Sequence, residues 1–107
     1  MNNSNVYKDK EIETDFLRKK IENALKKVID PGTGEDVVSM GLIRNLEVFE
    51  GGKASLRFRP SVSTCPLAFK LAIDIKNAIK DIENISEIDL EVIDFARADE
   101  LNKMLKD

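Results

Sequence analysis

Histidine is absent from this 107-residue chain, and so is tryptophan. Without an imidazole there is no Ser–His or Cys–His pair, and the commonest metal-ligating side chain is missing. A single cysteine, Cys65, cannot close an internal disulfide, which is the usage expected of a reducing compartment. Nor does one thiol have the resolving partner that a dithiol oxidoreductase needs. Long apolar runs are missing as well. The opening MNNSNVYKDKEIETD contains none, and no stretch approaches the ~18 apolar residues of a membrane span, so neither signal peptide nor anchor is read and a cytoplasmic protein is expected. A basic excess is the last absence. Seventeen Lys and Arg against twenty Asp and Glu leave a net charge of −3, which argues against nucleic acid as the main partner, because phosphate contacts demand clustered cations.

What is present is a foldable chain, 42% apolar and 35% charged. Residues 1–13 are polar apart from Val6, Tyr7 and Ile12 and read as a flexible leader. Residues 14–107 read as one domain, since a shorter piece would lack a core of its own. Over residues 14–28, Leu17, Ile21, Ala24, Leu25 and Val28 recur at helical spacing, with Thr14 or Asp15 placed to cap the start and Pro31 to force the end. Residues 30–36, Asp-Pro-Gly-Thr-Gly-Glu-Asp, are dense in turn formers.

Residues 42–49 read as a strand, with a glycine turn over 50–53. In the next strand Ala54, Leu56 and Phe58 alternate with Ser55, Arg57 and Arg59 until Pro60 ends the ladder. A helix over 66–82 carries the stripe Leu67, Leu71, Ile75, Ala78, Ile79 and Ile82. A strand over 88–92 and a short helix over 99–105 complete the order α-β-β-α-β-α. This is an α/β two-layer sandwich: a small mixed sheet with helices packed on one face. Outward Arg57 and Arg59 match outward Asp89 and Glu91, which favours adjacency of the second and third strands and a solvated ladder of charge.

Cys65 is the residue on which chemistry would centre. Proline favours the first helical position, so Pro66 at N1 puts Cys65 at the N-cap, where the helix dipole and unpaired N–H groups favour thiolate, the nucleophile and metal ligand. The alternative is a small buried apolar side chain, the usual fate of free cysteine. Four cysteines usually hold an iron–sulfur cluster, and one chain supplies one, so a permanent intramolecular cluster and a zinc finger are both excluded. The loop 30–36 lacks a Gly-Lys-[Ser/Thr] ending and holds three acidic residues, so it is a turn and not a phosphate cradle. Asp30 either caps that turn or reaches toward Cys65.

Taken together, Val28-Ile29-Asp30-Pro31, Val37-Val38 with Gly41-Leu42-Ile43, the glycine hairpin and Cys65-Pro66 resemble the PaaD-like, SufT-like family of iron–sulfur assembly domains over residues 14–95. Asn102-Lys103 and the Phe58, Pro60, Ser61 set resemble its cytosolic and archaeal branch. The chain departs from the pattern at Gly32, where the family has glutamate, at Thr64, often glycine, and at Arg59 and Ser61, where many bacterial members have threonine.

The resemblance implies an accessory factor, not an enzyme, in assembly, transfer or targeting of iron–sulfur clusters. Cys65 would be the transient metal ligand and Asp30 a second cofactor-binding residue, with the cluster shared between chains or passed on. It implies as partners a P-loop ATPase-type cluster carrier and recipient apoproteins, leaves a homodimer open, and involves neither nucleic acid nor membrane. The competing reading is a protein–protein adaptor with a structural cysteine. A nucleic-acid module built on Arg57 and Arg59 ranks below both, since no basic stripe with stacking aromatics is present.

Overall fold

The computed structural model describes residues 3–106, with side chains from residue 14 onward; Met1, Asn2 and Asp107 lie outside the described residues. Helix α1 runs Asn3–Leu25, β1 Ile43–Phe49, β2 Lys53–Phe58, α2 Ala68–Lys80, β3 Glu87–Val92 and α3 Ala98–Lys106, in the expected order. The first helix begins well before residue 14. No glycine or proline interrupts residues 3–25, so the backbone helix extends through most of the stretch read as a leader. Thr14 and Asp15 accordingly lie inside the helix instead of capping it, and Asp15 faces Lys19 one turn on at 3.7 Å. The helix also ends before Val28. Lys27 N–H donates to Ala24 O and Val28 N–H to Leu25 O, a tightened last turn, after which Val37 N–H takes the Val28 carbonyl and draws the chain away.

The sheet order is β1-β2-β3, with β1 antiparallel to β2 and β2 parallel to β3. Alternation sends Ala54, Leu56, Phe58, Leu90 and Val92 into the core, while Lys53, Arg57, Glu87, Asp89 and Glu91 stay exposed on the other face. The helices cover the apolar side through Ile21, Leu25, Leu71, Ile75 and Leu101, all almost fully buried. Two of the strand charges pair as the alternation predicts in kind. Arg57 meets Glu91, its register partner, at 3.1 Å. Arg59 finds Asp94 at 3.0 Å instead of Asp89, because Asp89 sits opposite Ser55, four residues back along β2.

The two sheet edges differ. On β3, the Asn102 side chain accepts from Val92 N–H at 2.7 Å and donates to Val92 O at 3.1 Å, so α3 brackets the strand's outer backbone. On β1, the register slips between Arg44 and Glu47, and Asn45 adopts a positive φ of 54°, a bulge that twists this edge. The hairpin turn is anchored from below. Gly52 has φ +87°, and a Cβ there would lie 2.0 Å from the Asn84 carbonyl oxygen, so only glycine lets the α2–β3 loop approach. Ser86 secures the contact by donating its N–H to Gly52 O and its hydroxyl to Gly51 O.

Candidate functional site

Cys65 lies on the connection from β2 to α2. Phe58 ends the strand with its carbonyl accepting from Ile93 N–H, Pro60 removes the next donor, and residues 61–64 form a turn closed by Cys65 N–H on Val62 O at 3.1 Å. The expected N-cap geometry is not what forms. The helix begins at Ala68 with Leu67 as its cap residue, at φ −98° and ψ 2°, and no side chain caps it. Pro66 therefore stands ahead of the helix, not at its first position. Cys65 O accepts from Ala68 N–H at 3.3 Å, which makes residues 65–68 a lead-in turn. The thiol is displaced from the helix end, and the dipole argument lapses with it. Instead the side chain is 7% exposed and belongs to the main apolar cluster with Leu71, Phe58 and Ala68.

Among the described residues Asp30 is the one charged residue in the buried set, at 5% exposure. Its Oδ1 accepts from Gly32 N–H at 2.7 Å, and its carbonyl accepts from Gly34 N–H at 2.7 Å and Thr33 N–H at 3.2 Å. This is an aspartate organising its own turn. Of the two roles read for Asp30, the turn cap is what the geometry displays; no hydrogen bond joins it to Cys65 among the described residues. The loops do adjoin. A Cβ on Gly32 would be 3.1 Å from Asp30 Oδ1 and 3.8 Å from Leu67 Cδ1, so the turn abuts the segment two residues past the cysteine. Gly32 is thus a crowded position: a side chain here would press on the carboxylate that accepts from its own N–H.

A second loop completes the surroundings. Ala96 N–H donates to Ser63 O at 2.8 Å, tying the cysteine loop to the β3–α3 connection. Phe95 of that connection meets Phe69 of α2 edge-on at 6.0 Å between centroids. Arg97 lies 4.5 Å over the Phe69 ring and grips Glu100 with two hydrogen bonds of 2.9 Å. On the loops themselves, Val62 and Ile29 stand exposed at 56% and 45%. The sequence alone signals neither the Ser63–Ala96 bond, which is backbone to backbone, nor the Gly32–Leu67 approach, which depends on the tertiary path.

Chemically, the arrangement offers a single thiol packed into the apolar cluster. No group of three or more Cys, Asp or Glu side chains able to hold a metal ion occurs among the described residues. One sulfur does not complete a cluster's coordination, so the residues present do not build a resident metal centre. They fit a cluster only as cargo, with other ligands brought from outside. Among the described residues no helix is long and apolar enough to cross a membrane.

Comparison with known proteins places these features. The family described as iron–sulfur cluster assembly protein matches residues 18–90. An uncharacterized protein of Methanocaldococcus jannaschii is 34% identical over 85 residues, covering 79% of this chain and 90% of that one. The Fe-S protein maturation auxiliary factor YitW of Bacillus subtilis is 27% identical over 77 residues, covering 72% of this chain and 76% of its own. In structure, a domain of unknown function from Bacillus anthracis superposes with a TM-score of 0.71 at 22% identity, over 90% of this chain and 97% of that domain.

Proposed function

The chain belongs to the iron–sulfur cluster assembly protein family, and from that membership we propose that it is an accessory factor that helps deliver clusters to apoproteins, with Cys65 as a transient thiolate ligand. The cluster is its cargo. The observation that carries this reading is the position of the lone thiol: it sits on a loop that adjoins two other loops, and not in the middle of a helix or strand. Loop backbone opens at lower cost than core elements, so a sulfur placed there is brought to a partner by local motion. What ties the cysteine loop to its neighbour is the Ser63–Ala96 bond, and in this reading it opens when a partner docks.

The partners follow from the coordination count. With one thiol per chain, at least one further protein or thiol completes the ligand set, and a P-loop ATPase-type carrier on the donor side with an apoprotein on the acceptor side fits the family. Catalysis is no part of the reading, since transfer proceeds by thiolate exchange and needs no general base; the relative in Bacillus subtilis is likewise named an auxiliary factor. Asp30 contributes by shaping the turn against Leu67, so its effect on the cysteine loop is positional.

Anaerobic transfer of a cluster from a carrier to an apoprotein, with this chain as the sole accessory factor, tests the reading. Cys65→Ala is expected to fold, as shown by an unchanged dispersed amide spectrum, and to lose transfer. Maturation at the wild-type rate by the folded variant overturns it. The second reading, an adaptor whose cysteine only fills the core, is favoured by the 7% exposure of Cys65. It predicts that Cys65→Ala keeps both partner binding and transfer.

A further inference from the structure

One corner of the outer sheet face carries three guanidinium groups and two carboxylates. Arg44 of β1 is the register partner of Arg57 on β2, a like-charge pairing that a sheet normally avoids. Arg57 is neutralised by Glu91 and Arg59 by Asp94. Arg44 is different. Its Nε donates to the Gly41 carbonyl at 2.9 Å, and it has no carboxylate partner among the described residues. In a chain of net charge −3 this is an excess cation placed beside two others.

The cation is not on a flat surface. Arg44 and Arg59 line a cavity of about 260 Å³ together with Met40, Leu42, Pro60 and Ser61. The cavity lies where the chain enters β1 and leaves β2, a position held by Arg59 N–H on Leu42 O at 2.9 Å. Its composition is specific. Two planar forks suit an oxyanion in bidentate contact, and the Ser61 hydroxyl adds a neutral donor. Met40, Leu42 and Pro60 supply apolar wall, which inorganic phosphate or sulfate would leave unused. A carboxylate on a short aliphatic stem uses both halves.

We infer that the cavity between Arg44 and Arg59 is a binding site for a carboxylate carried on a short aliphatic stem, either a free dicarboxylic acid or an acidic side chain of a peptide. Arg44 supplies the unneutralised charge, Arg59 is held in place by Asp94, and the stem lies on Leu42 and Pro60. The site stands apart from the role assigned to Cys65 and does not depend on it.

Titration of the full chain with glutarate, and separately with a blocked Ala-Glu-Ala tripeptide, tests this by following backbone amide shifts. Shifts at Gly41, Leu42 and Ser61 that saturate with either probe are expected, and they are expected to be absent with glutaramide, the uncharged analogue. Saturation by glutarate alone identifies the free acid as the source, and saturation by the tripeptide identifies the side chain. Arg44→Gln is expected to weaken binding about tenfold, the loss of a charge-assisted contact. Arg57→Gln, on the same face but outside the cavity, is expected to leave it unchanged. Failure of both probes to saturate, equal shifts with glutaramide, or equal weakening by Arg57→Gln overturns the inference. Measurement in the Cys65→Ala background is expected to give the same binding, which separates this site from the transfer reading.

Discussion

Cys65 shows how a residue type can be found in the sequence while its surroundings are not. The Cys-Pro pair ahead of an apolar stripe marked the residue, but helix entry was misplaced. Proline is favoured at the first helical position, yet here it sits in a turn that precedes the helix. The consequence is measurable. Thiol modification of the native protein by a water-soluble disulfide is expected to be slow, to accelerate in moderate denaturant, and to leave the fold intact until the label adds. Immediate full reaction in native buffer would contradict the buried position. Asp36 gives a second residue-scale expectation. Its carboxyl is held below the ordinary value of 3.8, chiefly by the Ser39 hydroxyl, with the Ser39 and Val38 N–H groups adding at 3.0 Å each. A carboxyl whose folded pKa is depressed stabilises the fold above its unfolded value, and that contribution fades as pH falls through the folded value. The turn at residues 36–40 is therefore expected to be unaffected at neutral pH and to loosen below pH 3.8, seen as faster amide exchange at Val38 and Ser39.

Among the elements, periodicity made the strands and the middle of each helix legible, because alternation and the three-four step follow from backbone geometry. The ends were less so. Helix α1 starts earlier than its apolar stripe, since no glycine or proline stops a helix that the core-facing turns have nucleated. The bulge in β1 leaves only a weak mark in the sequence, asparagine being the side chain there that best tolerates the positive φ of residue 45. Asn102 was noted only as part of a tail resembling a family, and its bracket on Val92 became visible once α3 lay beside β3. Asn102→Ala is expected to lower stability by about 1–2 kcal/mol in urea unfolding and to speed exchange of the Val92 amide, the loss of two part-buried hydrogen bonds. Gly52→Ala should cost more, roughly 2–4 kcal/mol, because both the positive φ and the Asn84 carbonyl oppose a Cβ. An unchanged unfolding midpoint for either variant would contradict the contact it removes.

For the whole molecule, charge arrangement proved a better guide than charge total. The pairing of outward arginines with outward acids gave the neighbouring strands correctly, since opposite charges on adjacent strands are mutually selected. It missed Asp94, which is outside any strand. Because Lys53–Glu87, Arg57–Glu91 and Arg59–Asp94 are all close to half exposed or more, they contribute little to stability. Raising salt to about 0.5 M is expected to move the thermal midpoint only slightly, by screening that reaches a few ångströms. A large drop would mean that the ladder holds the sheet together. Cys65 and the family pattern were legible in the sequence; the approach of the 30–36 turn to Leu67 and the Ser63–Ala96 bond were not, because they join loops far apart in the chain.

The burial of Cys65 has a bearing on how long its thiol lasts. A sulfur packed among hydrocarbon is slow to meet peroxide or dissolved oxygen, so the fold itself protects the chain's one thiol from climbing the oxidation ladder.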